Sequence, residues 1–179
     1  TNMDSVAACA DAVDGVLQKR EQPLDVLMCN AGIMALPELE QVNVGGVTLE
    51  KQFVVNHLGH YLLARRLLPS VEAAQAGRVV MLSSTGYTLA PSEGIQFDNL
   101  SGANNYKPFT AYGQTKLSNA LFADEVARRY ANTRVTANSV HPGMVATNLG
   151  RYFSSKPRDP NAPLRKGLKR PEQGASTQV

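Results

Sequence analysis

The sequence predicts an α/β fold, a doubly wound parallel sheet with helices on both faces. Three short apolar runs, residues 26–29, 79–82 and 135–140, are typical of strands that are buried in a parallel sheet. Helical patterns separate these runs along the chain. Each run ends in small or polar residues, and ligands bind such sheets at the carboxyl ends of the strands. We therefore expect three separate segments to line one crevice.

Length and composition suit one globular domain. The chain has 179 residues, of which 43% are hydrophobic, enough for a single core. It has no apolar run near the roughly 18 residues that a membrane-spanning helix requires, and no secretory signal pattern. Cys9 and Cys29 lie in apolar patterns that suit small buried side chains, so we expect neither a disulfide nor a metal site. These features favour a soluble, cytoplasmic protein without membrane contact.

The first predicted helix covers about residues 3–20, where apolar residues recur at three- and four-residue spacing. Pro23 ends it before the first strand. The segment 33–46 is predicted to be a loop, because a proline and the pair Gly45-Gly46 interrupt it.

Two longer helices follow. Thr48 is a candidate cap for a helix over about residues 49–71, which has a strongly apolar face. A loop rich in proline and glycine then leads from the second strand to a helix over about 110–130.

The positive charge of the chain is concentrated near its end. The net charge is +3, and residues 151–179 hold 7 of the 18 Lys and Arg but 2 of the 15 Asp and Glu. Residues 154–170 form a basic, proline-rich segment without a clear period, which predicts a loop. It could be a lid over the substrate crevice, a contact for anionic lipid or acidic partners, or a solvated variable loop. The rest of the chain is slightly acidic, so we expect no nucleic-acid partner.

Tyr112 and Lys116 are the strongest candidates for chemistry. They lie four residues apart at the start of the last long helix, which places both side chains on one face. A neighbouring ammonium favours the phenolate, and a tyrosine tuned in this way can exchange a proton with an alcohol or carbonyl oxygen. Taken alone, the pair is also common by chance on solvated helices.

Asn56 is unusual because it interrupts an apolar helix, where an asparagine is costly to bury without partners. It could hold a water for proton relay to the lysine, or it could make a structural hydrogen bond to neighbouring backbone. His57 and His60 lie three residues apart, but no third ligand accompanies them, so we expect no metal.

Five ordered motifs together resemble the short-chain dehydrogenase/reductases. Residues 112–119 and 138–147 are most similar to retinol dehydrogenases and to the oxidoreductase domain of WW-domain-containing oxidoreductases. The resemblance implies a Rossmann-like fold, with residues 1–153 as its catalytic part and 171–179 as the start of a further helix. The motifs are Asn30-Ala31-Gly32, Asn56, Ser83-Ser84, Tyr112-x-x-x-Lys116 and Pro142-Gly143-x-x-x-Thr147.

The resemblance also implies a role for each matching residue. Tyr112 would be the catalytic acid/base, and Lys116 would lower its pKa and bond the nicotinamide ribose. Ser84 would hold and polarise the substrate oxygen, while Asn56 would position a relay water. The adenosine side of the cofactor would lie against Asn30, Ala31 and Gly32, and the nicotinamide carboxamide against Pro142, Gly143, Val145 and Thr147.

The implied activity is that of an oxidoreductase, which interconverts an alcohol and a ketone or aldehyde by NAD(P)(H)-dependent hydride transfer. NADP is slightly favoured over NAD, the substrate would be small and lipophilic, and the helices 49–71 and 110–130 would form a homodimer. Two alternatives remain. One is a non-catalytic truncated relative that serves as a binding or interaction module. The other is a nucleotide-sugar epimerase or dehydratase, but these enzymes normally carry a larger C-terminal sugar domain, for which the chain has no room.

The sequence departs from the family pattern at its start. The family's Gly-rich phosphate turn and first strands are missing, and no such glycine pattern occurs elsewhere. We therefore expect the chain to be an interior part of a longer enzyme. Cys29 stands where the family usually has asparagine, which leaves the assignment of Asn30 unchanged.

Overall fold

A computed structural model describes residues 2–152 and 166–178. Helix α1, Met3–Arg20, begins where the Asn2 side chain accepts hydrogen bonds from the N–H groups of the first turn. It ends at Glu21, which adopts a left-handed conformation with φ 52°. Strand β1, Val26–Cys29, follows. Both elements confirm the predicted boundaries.

The predicted loop over residues 33–46 is wrong in its second half. Strands β2, Gln41–Val44, and β3, Val47–Glu50, form an antiparallel hairpin. Gly45 and Gly46, with φ of 58° and 87°, make its two-residue turn. A turn with two positive φ values matches the twist of a hairpin, so these glycines connect strands and do not merely interrupt a pattern.

The next helix begins at Lys51, later than predicted, because residues 47–50 are a strand. Its N-terminus is capped by Glu50, whose Oε2 accepts from the N–H of Phe53 at 2.8 Å, and not by Thr48. The helix runs through α2, Lys51–Phe53, a π-helical segment, Val54–Leu58, and α3, Gly59–Glu72.

The second half of the structure repeats the strand and helix alternation. Strand β4, Arg78–Leu82, leads through a 3-10 turn, Thr85–Leu89, to helix α4, Pro108–Arg129. Strand β5, Thr136–Val140, completes the main sheet, and a short helix α5, Pro171–Ala175, lies near the end of the chain. These elements agree with the predicted strands and with the helix expected from about residue 110.

The main sheet is parallel, as predicted, with strand order β1-β4-β5. Leu27 pairs with Val79, and Cys29 with Met81. These four side chains point to one face, where α1, α3 and α4 cover them and form the hydrophobic core. Met28, on the opposite face, is 38% exposed.

Cys29 is buried as predicted, but Cys9 is exposed on α1, contrary to the expected apolar position.

No helix among the described residues has the length and apolar content to cross a membrane. The greater part of the basic segment 154–170 lies outside the described residues.

Candidate active site

The predicted site segments follow the three parallel strands. Residues 30–32 come after β1, Ser83 and Ser84 after β4, and residues 141–147 after β5. Parallel strands end at the same edge of a sheet, so all three segments lie at its carboxyl edge. Helix α4 brings Tyr112 and Lys116 to this edge, since both are buried and Lys116 contacts the last residue of β4.

Ser84 and Tyr112 meet beside Gly86. The Ser84 Oγ accepts a hydrogen bond from the N–H of Gly86 at 3.0 Å, so its own hydroxyl proton can be donated to another oxygen. A Cβ built on Gly86 would lie 3.3 Å from that oxygen and 2.9 Å from Cε1 of the Tyr112 ring. The structure therefore brings together the hydroxyl and the phenol that the sequence placed 28 positions apart.

The pKa of Tyr112 is raised in the structure, whereas the sequence predicted that Lys116 would lower it. Burial raises the pKa of the phenol above its ordinary value, and hydrogen bonding to the Ser84 side chain lowers it by a smaller amount. Lys116, which was expected to lower this pKa, points its Nζ at the Tyr112 ring from 5.4 Å. In this structure, therefore, the charge of Lys116 does not offset the burial of the phenol.

Lys116 is a buried ammonium without a carboxylate partner among the described residues. It is 3% exposed, and its Nζ donates to the Leu82 carbonyl at 3.0 Å. Because burial disfavours the charged form, the pKa of Lys116 falls to about 8. One of its three N–H donors is engaged, so the others can bind a ligand.

The residue beside this ammonium is Gly32. A Cβ on Gly32 would lie 3.8 Å from Nζ of Lys116 and 3.3 Å from Oδ1 of Asn56. The absence of a side chain leaves room above both groups. The loop after β1 and helix α4 thus border the same space.

Asn56 makes the structural hydrogen bonds that the sequence allowed as an alternative. Its side chain is fully buried, and its Oδ1 accepts from the N–H of Ile33 at 2.8 Å. Its Nδ2 donates to the Ile33 carbonyl at 2.9 Å and to Oγ1 of Thr115 at 3.1 Å. Asn56 therefore ties the loop after β1 to α4, and its role with a relay water stays a prediction.

The two histidines bind protein groups. Nδ1 of His60 lies 2.9 Å from the Asn56 carbonyl, and Nδ1 of His57 lies 3.1 Å from Oδ1 of Asn119. Burial lowers the pKa of both rings, which favours the neutral form. Asn119 also donates to the carbonyls of Asn56 and Leu82, each at 3.1 Å.

The loop after β5 is held by the last described segment. Val145 pairs with Lys169 in a parallel bridge, and the N–H of Ala146 donates to the Lys169 carbonyl at 3.0 Å. Gly143 has φ 87°, and the aliphatic part of Lys169 packs against it. These contacts do not involve the catalytic candidates, so the expected role of Pro142, Gly143, Val145 and Thr147 stays a prediction.

Known proteins resemble this chain in sequence and in fold. The family described as short chain dehydrogenase matches residues 1–158. Retinol dehydrogenase 14 of Homo sapiens is 42% identical over 135 residues, which cover 75% of this chain and 38% of that protein. Short-chain dehydrogenase TIC 32 A, a chloroplastic protein of Brassica napus, is 40% identical over 137 residues, covering 73% and 42%.

The chain belongs to the short-chain dehydrogenase family. It spans less than half the length of either relative. The NADPH-bound carbonyl reductase from chicken fatty liver aligns with a TM-score of 0.63 at 20% identity, over 98% of this chain and 63% of that one. This likeness shows a shared fold and confirms the α/β class with a parallel sheet.

In this short-chain dehydrogenase family member, sequence reasoning missed several residues that hold the candidate site together. Gln52 and Thr115 are fully buried and bonded to distant segments, and Gly113 packs against the backbone of the turn that follows Ser84. A Cβ on Gly113 would lie 2.6 Å from the Ala90 nitrogen. The one available signal was the spacing of Gln52, four residues before Asn56 on an otherwise apolar helix.

Proposed function

We propose that the protein is an oxidoreductase that interconverts an alcohol and a ketone or aldehyde with NAD(P)(H). The proposal depends on one observation: the Ser84 hydroxyl, the Tyr112 ring and the Lys116 ammonium lie beside one another at the carboxyl edge of the sheet. Membership of the short-chain dehydrogenase family supports it.

Tyr112 and Ser84 would act on the substrate oxygen. In the reducing direction, Tyr112 donates its phenolic proton to the carbonyl oxygen, which becomes the hydroxyl of the product. Ser84 donates its hydroxyl proton as a hydrogen bond to the same oxygen and so stabilises the charge that develops there. In the oxidising direction Tyr112 takes the proton back. Burial of Tyr112 keeps the phenol protonated at neutral pH, which suits the reducing direction.

The residues around Lys116 fit a nicotinamide dinucleotide. The dinucleotide would supply or accept the hydride at the substrate carbon. Lys116 has unused N–H donors, which suit ribose hydroxyls, and the lack of a side chain at Gly32 leaves space for a ligand over them. Once a ligand orients it, the charge of Lys116 would also favour the phenolate of Tyr112.

The remaining cofactor contacts follow the family resemblance. Asn30, Ala31 and Gly32 would lie against the adenosine part, and the loop of residues 142–147 against the carboxamide. NADP is our slightly favoured cofactor over NAD. The substrate would be a small lipophilic alcohol or carbonyl compound, in keeping with the name of the relative retinol dehydrogenase 14.

The test uses the native protein. NAD(P)H consumption would be followed with a panel of lipophilic aldehydes and ketones, for the wild type and for Tyr112→Phe. We expect the variant to lose at least about 100-fold in kcat, because the ring still packs but has no proton to donate, while dinucleotide affinity stays close to that of the wild type. Wild-type turnover in the variant would refute the mechanism. Dinucleotide binding without turnover in the wild type would favour the non-catalytic binding module.

A homodimer through the helices of residues 49–71 and 110–130 is a further proposal. Tyr61 on α3 and Leu121 on α4 are 42% and 50% exposed, and the rings of Tyr61 and Phe122 lie 5.3 Å apart on this surface. Leu121→Glu would place a charge there and should shift the sedimentation of the native protein from dimer to monomer. A monomeric wild type would refute the dimer.

A cytoplasmic location is likewise a proposal. The relative TIC 32 A is named as a chloroplastic protein. Imaging of the tagged native protein would distinguish a cytoplasmic from an organellar location.

A further inference from the structure

The Gln52 side chain is buried between two other segments of the chain, and both of its polar atoms have partners. Its Oε1 accepts from the N–H of Ala35 at 2.7 Å. Its Nε2 donates to the Pro108 carbonyl at 3.1 Å and to the Tyr106 hydroxyl at 3.0 Å. The Tyr106 hydroxyl in turn donates to the Leu36 carbonyl at 2.9 Å. Gln52 and Tyr106 thus connect residues 35–36 with residues 106–108 through linked hydrogen bonds.

The two segments that this pair joins carry the proposed site. Gly32, three residues before Ala35, lies next to the Lys116 ammonium. Pro108 is the first residue of α4, and Tyr112 follows one helical turn later. The separation of these segments therefore sets the space between the loop after β1 and the helix that holds the acid/base.

Gln52 and Asn56 act on this loop in the same way. They lie four residues apart, on one face of the same helix. Asn56 accepts from the N–H of Ile33, and Gln52 from that of Ala35, so the two amides hold alternate positions of the loop. Each amide also bonds to α4, Asn56 at Thr115 and Gln52 at Pro108.

The backbone at Ala35 needs support of this kind. Ala35 has φ 50°, a left-handed conformation that is unfavourable for a residue with a Cβ, and it is 4% exposed. Such a conformation persists where surrounding contacts hold it. The short hydrogen bond to Gln52 and the bond from Tyr106 to the next carbonyl are those contacts.

We propose that Gln52 and Tyr106 are positioning residues, which hold the loop after β1 at the distance from α4 that the dinucleotide requires. This inference rests on the function proposed above. The hydrogen bonds of the pair lead to the loop and to the start of α4, not to Ser84, Tyr112 or Lys116, so the pair acts on cofactor binding through the backbone of residues 33–36. It follows that loss of the pair weakens dinucleotide binding and leaves proton transfer by Tyr112 intact.

The test compares Tyr106→Phe and Gln52→Met with a matched control in the native protein. Tyr106→Phe keeps the ring and removes the hydroxyl, whereas Gln52→Met keeps the side-chain length and removes all its hydrogen bonds. The control is Gln114→Met. Gln114 is also a buried amide, 8% exposed, but its Oε1 accepts from Gln96 at 2.8 Å, on a different loop.

Two measurements distinguish positioning from general stability. Without cofactor, amide hydrogen exchange at residues 33–36 should accelerate at least about tenfold in both variants and stay near the wild-type rate in Gln114→Met. With cofactor, Kd and KM for the dinucleotide should rise roughly 3- to 30-fold, while kcat at saturation and its pH profile stay close to the wild type.

Unchanged exchange at residues 33–36 in both variants would overturn the inference, and so would equal acceleration in the control. A fall in kcat with unchanged Kd would also overturn it. If Gln52→Met does not fold, Tyr106→Phe decides the result. If the wild type binds no dinucleotide, the proposed function fails, and the exchange experiment still decides whether the pair holds the loop.

Discussion

The Ser84 hydroxyl and the Tyr112 ring face each other across Gly86, a residue that has no side chain to separate them. A Cβ placed on Gly86 would lie only 2.9 Å from Cε1 of Tyr112 and 3.3 Å from Oγ of Ser84. Because Gly86 also donates its N–H to Ser84, one residue both orients the hydroxyl and leaves space for the phenol. Under the proposed function, both hydroxyl groups would act on a single oxygen of the substrate.

Gly86→Ala should therefore damage turnover more than stability. The added methyl group would push the Tyr112 ring away from Ser84, and we expect kcat to fall roughly 10- to 100-fold because small misplacements of reacting groups are costly. The measurement is steady-state turnover of the native protein together with its thermal midpoint. Thr88→Ala, an exposed change in the same 3-10 turn, is the control. Unchanged kcat in Gly86→Ala would contradict the proposed contact.

Two helical glycines should respond in opposite ways to alanine. A Cβ on Gly15 in α1 would meet nothing within 4 Å, so Gly15→Ala should stabilise the protein by about 0.5–1 kcal/mol through helix propensity. A Cβ on Gly113 in α4 would lie 2.6 Å from the Ala90 nitrogen and 2.8 Å from the Gly86 carbonyl oxygen. Gly113→Ala should therefore destabilise the protein by roughly 1–3 kcal/mol. Urea denaturation of both variants measures the difference. Equal effects would refute the close packing of α4 on the turn after Ser84.

The main elements of the fold could be predicted because their signals are local. Helix α1 has an apolar period and a polar residue, Asn2, at its start, and β1 is an uninterrupted apolar run. The hairpin of β2 and β3 was missed although Val42, Val44 and Val47 alternate with polar residues around the glycine pair. A glycine pair between two alternating runs is compatible with a hairpin turn as well as with a loop, so the local pattern alone does not separate the two.

The site was predictable in part for the same reason. The positions of Ser84 and Asn30 follow from the ends of strands, and the pairing of Tyr112 with Lys116 from helical spacing. The contacts of Gln52 and Tyr106 could not be predicted. Apart from the bond between the two side chains, their partners are backbone groups 17 to 70 residues away, and a backbone carbonyl or N–H has no side-chain signal in a sequence. The acidity of Tyr112 likewise depends on its burial, which spacing does not reveal.

Glu50 should make stability depend on pH in the acid range. Glu50 is 4% exposed, and its Oε1 has no hydrogen-bond partner among the described residues. Burial raises its pKa above 4.5, so between that value and the raised one the folded chain holds a proton that the unfolded chain has released. Relative to Glu50→Gln, the wild type should lose stability as pH rises from about 4 toward 7.

Glu125 should make stability change with pH in the opposite direction to Glu50. Hydrogen bonds from Arg128 and Arg129 lower its pKa to about 2, so relative to Glu125→Gln the wild type should gain stability as pH rises from about 2 to 5. Both directions are measured by urea denaturation of the wild type, Glu50→Gln and Glu125→Gln between about pH 3 and 7. This range spans roughly the ordinary carboxyl pKa. Parallel pH curves for the wild type and Glu50→Gln would contradict the buried environment of Glu50.

Lys116 should make stability depend on pH in the alkaline range. Burial lowers its pKa from 10.5 to about 8, so between these values the unfolded chain holds a proton that the folded chain has lost, and stability rises with pH. The penalty of the buried charge is complete below about pH 8 and disappears toward 10.5. In the absence of cofactor, Lys116→Met should therefore be more stable than the wild type at pH 7, by roughly 1–3 kcal/mol, and the gap should close by about pH 10. The same variant should lose dinucleotide affinity, because Lys116 is the proposed donor to the ribose.

Urea denaturation at both pH values and a dinucleotide titration measure the two effects. A variant that is less stable at pH 7 but binds dinucleotide normally would show that Lys116 is a structural residue and would remove it from the proposed mechanism.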